Sequence, residues 1–321
     1  MRVLLARLGW SSFGWKGLPI SSSNNDDIEK YSNDVKWATM AYIKENGFGG
    51  EWWVFSDYIC DWFNLQGCSS NYYYGTVPRG WSGMSNVVKE FLARNLNEKF
   101  IIFFISWDYN TAEMKLVGIY TNAEFIKNDG QIFMPVKQNY KNALIMNLVS
   151  NASIPQSVKN NFKKEFTGIS LLFRAPKKNS LLIKFHKDNK TEYGIRIRQR
   201  EIFGTQITQF VDLKDVTDSI NYDALIELLE KNMEKIEHRE KLEYILGLLR
   251  DMKTRVTISS EEIYEEECTI ESNEDGKRIL EIVKLSNGWI LVKTENSKSP
   301  KDFKVRTIWK LEPRKRYFTP K

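Results

Sequence analysis

The sequence predicts an α+β fold in two parts: a β-rich N-terminal domain over residues 1–205 and a smaller C-terminal domain, helical and then β, over 206–321. Three observations predict it. Up to about residue 203 the chain alternates short β-branched and aromatic runs with polar turns. Residues 222–252 carry apolar positions three and four apart, the spacing of an amphipathic helix. Beyond residue 267 the chain returns to strand composition, with "NEDGK" and "SNG" as turns.

In chain order, "RVLLARLG" (2–9) reads as the first strand. The polar stretch 21–34 is a loop, with Asp26 or Asp27 placed to cap a short helix. Residues 35–50 fit a helix ending in glycines or a mixed segment. "EWWVFSDYI" (51–59) and "NYYYGTVP" (71–78) have strand composition. "NVVKEFLARNL" (86–96) reads as a short amphipathic helix. "KFIIFFISWD" (99–108) is the most apolar run and predicts a buried strand. A turn at 109–113 leads into "MKLVGIYTNAEFI" (114–126), completing a hairpin in which Gly118 allows a bulge or close approach. Residues 157–166 are polar and basic. "ISLLFRA", "LLIKFHK" and "YGIRIRQREIF" (169–203) predict more strands, the last with Ile195, Ile197 and Gln199 on one face and Arg196, Arg198 and Arg200 on the other. The 222–252 stripe is one helix or a pair, with 237–240 as the break. "ECTIES", "RILEIVKL" and "WILVKTE" predict short strands before a mobile tail.

Three adjacent tyrosines in "YYYG" cannot share one face. As a strand, Tyr72 and Tyr74 lie on one side and Tyr73 on the other.

The net charge of +6 hides a segregation. Residues 1–150 hold 14 Lys/Arg and 14 Asp/Glu; 151–200 hold 12 and 3; 201–296 hold 12 and 22; 297–321 hold 9 and 2. A basic belt and a basic tail favour a polyanion. No apolar run reaches the roughly 18–20 residues of a spanning helix, so no membrane partner is expected. The start lacks the long apolar region and cleavage site of a signal peptide. The three cysteines, Cys60, Cys68 and Cys268, have no metal spacing, and their odd count and wide gap argue against a disulfide framework. These features predict a reducing, cytoplasmic setting.

Chemistry-bearing motifs are few. There is no P-loop, and "GFGG" (47–50) reads as a turn. The nearest approach to an acid-x-Lys nuclease element, Glu281 to Lys284, is one residue too long. His186 and His238 are the only histidines, and His186 reads as a surface or packing residue. No cofactor is implied.

The aromatic residues carry the functional reading. Eight of ten tryptophans lie before residue 108, in the region without net charge. Such rings can stack a base or cage one extruded from its strand. Trp10 and Trp15 follow the first strand, and Trp107, Asp108 and Tyr109 end the most buried one. Asp108 can accept from an exocyclic amine, and Asn122 can do similar work.

The runs "MRVLLARLGW", "GEWWVFSD", "YYYGTVPRGW" and "KFIIFFISWDYNTAEMKLVGIYTNAEFI" resemble the PUA-like superfamily that includes EVE and YTH domains. They look most like the N-terminal target-recognition domains of archaeal McrB-type modification-dependent restriction proteins. The resemblance covers about residues 1–180. It implies a small curved β-barrel with an aromatic pocket for a modified, flipped base. The pocket expected here is Trp10, Trp15, Trp53, Trp81, Trp107, Asp108, Tyr109 and Asn122. Unlike those restriction proteins, this chain has no GTP-hydrolysing motor.

Phosphate contacts are expected from Arg79, Lys177, Lys178, Lys184, Lys187, Arg196, Arg198 and Arg200. The function these features favour is a non-enzymatic nucleic-acid reader, acting on DNA in preference to RNA. Two alternatives stand beside it: a modification-dependent restriction nuclease subunit, and an adaptor that binds a protein partner through the 222–252 helices, leaving an apolar face exposed.

Overall fold

A computed structural model describes residues 1–17, 29–30, 33, 50–76, 98–126, 132–146, 156, 159–160, 163, 166–187, 190–206, 213–261, 279–284, 289–294, 309–311 and 318–320. Apart from Glu29, Lys30 and Asn33, which are helical, and Gly50, the segment 21–50 lies outside these residues, as do the helix expected at 86–96, most of 157–166, the "ECTIES" strand, most of the tail, Arg79 and Trp81.

The fold is α+β. Contacts divide the chain into two compact units, Met1–Leu246 and Gly247–Lys321, so the division falls later than 205/206. The reason is that Lys214–Asp215, which lies beyond the expected boundary, pairs with the first strand.

The first unit is built on a mixed eight-stranded sheet. Its strands are β1 (Arg2–Leu8), β2 (Tyr72–Gly75), β3 (Phe100–Asp108), β4 (Glu113–Phe125), β7 (Phe173–Pro176), β8 (Leu181–Leu182), β11 (Ile195–Arg196) and β12 (Lys214–Asp215). The main path runs β12-β1-β3-β4-β7-β2, with β8 and β11 also paired to β4. β1 and β3 are parallel, from Arg2 opposite Phe100 to Leu8 opposite Ser106. Both are apolar on both faces, as parallel central strands require. β3 and β4 form the expected hairpin, and its register shifts next to the Phe104–Gly118 pair. A Cβ on Gly118 would stand 2.2 Å from the Phe55 ring, so the glycine serves a close approach. The expected barrel does not close: among the described residues the path ends on β12 and β2.

Two smaller ribbons complete this unit. β5 (Ile132–Pro135) pairs with β6 (Gly168–Leu171), and β9 (Lys184–Lys187) pairs with β10 (Lys190–Tyr193), both antiparallel.

The helices are short until the last. α1 is Ile59–Trp62, α2 Gln138–Leu144, α3 Gln199–Phe203, α4 Tyr222–Lys231 and α5 Arg239–Glu261. Gly204 ends α3 with φ 65°, a left-handed position suited to glycine. Asn221 caps α4 by accepting from the N–H of Ala224 at 3.1 Å. The 222–252 stripe is therefore a helical pair, broken by a 3-10 turn at Met233–Lys235 and by His238 at φ 63°.

Two strand expectations and one cysteine expectation change. Residues 51–59 form no strand: a 3-10 turn at Gly50–Trp53 precedes α1. Loop contacts replace a ladder there, with Phe55 N–H donating to the Trp15 carbonyl and Gly17 N–H to that of Trp52. Strand β11 stops at Arg196 and the chain turns into α3, although Ile195, Ile197 and Gln199 are buried and the three arginines exposed, as the alternation implies. Cys60 and Cys68 are disulfide-bonded, with Cα atoms 5.7 Å apart. The α1 turn brings the two cysteines together, which the odd cysteine count concealed, and the bond removes one ground for a reducing compartment.

Two clusters of buried side chains lie among the described residues. One gathers Leu4, Ala6, Leu8, Trp15, Phe55, Phe104 and Tyr120; the other gathers Trp52, Trp53, Phe63, Tyr140 and Phe166. Strand β2 stands between them. Tyr73 packs into the first, stacked 6.0 Å from Tyr120, while Tyr74 packs into the second with Tyr72 against it. Three consecutive tyrosines are used because both faces of this strand meet apolar material.

The second unit contains β13 (Ile279–Lys284), β14 (Trp289–Thr294), β15 (Trp309–Leu311) and β16 (Phe318–Pro320), paired antiparallel in that order. No helix of the described residues is long and apolar enough to cross a membrane.

Candidate nucleic-acid interface

The parallel strands β1 and β3 end side by side, and the segment Gly9–Gly17 leaves from that edge. Its left-handed residues, Gly14 at φ 66° and Trp15 at φ 55°, fold it back over the sheet end. A Cβ on Gly14 would lie 2.5 Å from the Tyr193 ring, so only glycine fits.

Gly9 is the pivot of this corner. Its carbonyl accepts from the Trp15 indole N–H at 2.9 Å. Its own N–H donates to the carboxyl of Glu51. Trp15 is buried and stands edge-on to Trp10 at 5.5 Å and to Tyr193 at 6.1 Å. Trp10 is half-buried, and the Lys115 ammonium lies 5.5 Å from its ring centre. Lys115 is held by Asp108, Nζ to Oδ2 at 2.6 Å; Asp108 is buried and the Lys115 side chain is 12% exposed. Asp108 also accepts from the N–H of Asn110.

Glu51 is the least expected member. It is buried without an ion-pair partner among the described residues, and one carboxyl oxygen has no hydrogen bond. Burial pushes its pKa up to about 7, against the opposing effect of its two backbone N–H bonds. The buried indole N–H of Trp10 also lacks a partner. The sequence signal for Glu51 was a lone acid inside "GEWWVF", where an apolar run rarely admits a carboxylate without a reason.

The structure thus brings together Trp10, Trp15 and Asp108 of the expected pocket and adds Glu51, Lys115 and Tyr193. The others lie elsewhere. Alternation puts Trp107 on the face of β3 opposite Asp108. Tyr109 interacts with Arg7, which is buried and has a lowered pKa through desolvation. Trp53 is stacked on Phe166 in the second core. Asn122, at φ 50°, donates to the Tyr244 hydroxyl at 2.9 Å.

The basic belt is largely spoken for. Lys177 pairs with Asp57 at 3.3 Å, Lys184 with Glu237 at 3.1 Å, Arg196 with Glu113 at 3.1 Å and Arg198 with Glu201 at 3.1 Å. Lys178 and Arg200 are exposed with no ion-pair partner among the described residues. Lys187 closes β9 opposite Lys190. The belt is therefore a mixed surface whose exposed pairs, worth about 0–1 kcal/mol each, a phosphate can displace.

Of the stripe assigned to a protein partner, Leu225, Leu229, Ile236, Leu242, Ile245, Leu246 and Leu249 are buried, while Leu228 and Met233 are half-buried.

No protein-family model, curated protein or solved structure matches the chain.

Proposed function

We propose that the chain is a nucleic-acid reader without catalytic activity. In this reading its first unit is an open variant of the PUA/EVE-like fold, and it receives a modified or flipped base beside Trp10, at the ends of β1 and β3. One observation carries the reading: two buried polar groups, the Trp10 indole N–H and one oxygen of Glu51, have no hydrogen-bond partner among the described residues, and Gly9, next to Trp10 in the chain, donates to that same Glu51 carboxyl. An unpaired buried group costs about 1–3 kcal/mol, which a ligand that supplies both partners recovers. A base edge carries donors and acceptors side by side and offers a flat face to the half-exposed Trp10 ring. With its pKa near 7, Glu51 can meet such an edge either as acid or as carboxylate. Phosphates on either side displace the exposed Arg196 and Arg198 pairs and meet the exposed Lys178 and Arg200.

The test is tryptophan emission during titration with short single- and double-stranded DNA and RNA, each with and without methylated bases. The expected result is saturable quenching, tighter for a modified oligonucleotide, with the preference lost in Trp10→Leu. Equal binding of modified and unmodified strands by both proteins overturns the pocket.

A further inference from the structure

A second surface of the first unit combines an aromatic ladder with lysines. Tyr58, Trp62 and Tyr140 form a continuous stack, with ring centres 5.0 Å and then 4.4 Å apart and planes 26° and 5° from parallel. The inner ring, Tyr140, is buried, and the outer ring, Tyr58, is 52% exposed. Among the described residues no further ring continues the stack beyond the exposed Tyr58. Helix α1 holds it in place, because Tyr58 and Trp62 are four residues apart and lie one above the other. The Cys60–Cys68 bond fixes the same turn.

Beside Tyr58 lies a group of lysines around Asp57. Lys177 reaches both the Asp57 carboxylate, at 3.3 Å, and its carbonyl, at 3.2 Å. Lys241 is anchored by the carbonyls of Lys177 and Ser180 at 2.7 and 3.1 Å. Lys16, exposed on the Gly9–Gly17 segment, is near enough to act with Lys177 in lowering the Lys241 pKa, after the larger effect of burial. Asp57 and Glu240 oppose these charges, so three ammonium groups face two carboxylates, and exposed Lys178 follows Lys177.

We propose that Tyr58 is a stacking platform for one base of a single-stranded nucleic acid, with Lys16 and Lys177 holding the adjoining phosphate. An exposed aromatic ring next to excess positive charge is the pairing that base-plus-phosphate binding requires. Lys241 acts as a positioning residue, since its donors are committed to the turn that carries Lys177. This site does not depend on the Trp10 corner, although the Gly9–Gly17 segment joins the two.

The test is fluorescence anisotropy of a labelled ten-residue thymidine strand with the full chain, across a salt series. Tyr58→Leu is expected to weaken binding about five- to hundredfold, and Tyr58→Phe to restore it. Lys16→Gln is expected to reduce the salt slope by about 0.7. The loss caused by Tyr58→Leu is expected to be the same in the parent and in a Trp10→Leu background, which separates this site from the base pocket. The proposal fails if the strand does not bind, if Tyr58→Leu binds as the parent does, or if inorganic polyphosphate displaces the strand at equal charge.

Discussion

Gly9 donates its backbone N–H to the buried carboxyl of Glu51, and among the described residues that carboxyl has no counter-ion to keep it charged. Its pKa rises from 4.5 to about 7. Between those values the folded chain binds a proton that the unfolded chain has released, so stability falls as pH rises through this window. The full effect is about 3 kcal/mol, lost above pH 7. Urea denaturation at pH 5 and pH 8 checks it. The parent is expected to lose this stability, and Glu51→Gln, which cannot ionise, to keep it. Identical pH profiles for the two proteins count against a buried carboxyl without a counter-ion.

Asp108 and Lys115 make the contrasting case, a largely buried pair with both charges satisfied by each other. Removing one partner strands the other, so Asp108→Asn is expected to cost about 3–5 kcal/mol. The double change Asp108→Asn with Lys115→Met is expected to recover most of it. Because Lys115 also lies over the Trp10 ring, both changes should shift tryptophan emission. Additive losses in the double variant would show that the two side chains act separately.

How much of this was legible in the sequence varies with the physical signal. The β3–β4 hairpin was, because a nine-residue apolar strand and a polar turn leave few alternatives. The break between α4 and α5 was so only in part: it was expected at 237–240 and falls at 232–238, because the 3-10 turn at Met233–Lys235 keeps helical spacing past the end of α4. Residues 51–59 were misread because tryptophan and phenylalanine favour strands only when a ladder partner exists. Here Trp15 and Gly17 supply loop contacts instead. That Trp10, Trp15 and Asp108 lie near one another was legible because all three stand at or just after the ends of β1 and β3. Trp53 and Trp107 were not separated from them, since composition does not say which way a ring faces. The pairing of the basic belt with Glu113, Glu201, Glu237 and Asp57 depends on contacts between residues as far as 120 apart in the chain.

Gly118 tests the hairpin. The Phe55 ring occupies the space a side chain would need, 2.2 Å from a Cβ, and the Leu181 carbonyl closes the other side at 3.0 Å. Gly118→Ala is therefore expected to destabilise by about 1–3 kcal/mol through overpacking. A lower urea midpoint with an unchanged slope is the signature. Phe55→Leu, which withdraws the ring, should reduce the penalty when combined with it.

The Cys60–Cys68 bond closes a short loop of sequence separation 8. By loop closure alone it contributes about 2–3 kcal/mol, nearly all through the unfolded chain. Peptide mapping without reduction should recover the two cysteines as one linked fragment. Denaturation with and without a thiol reductant then measures the contribution. Cys60→Ser with Cys68→Ser is expected to match the reduced parent and to be insensitive to reductant. Helix α1 carries Trp62 between these cysteines, so the same variants should loosen the stack on Tyr140 and blue-shift or quench no other ring. A parent whose midpoint ignores reductant would mean that the α1 turn holds its shape by packing, and that the bond adds nothing the core has not already fixed.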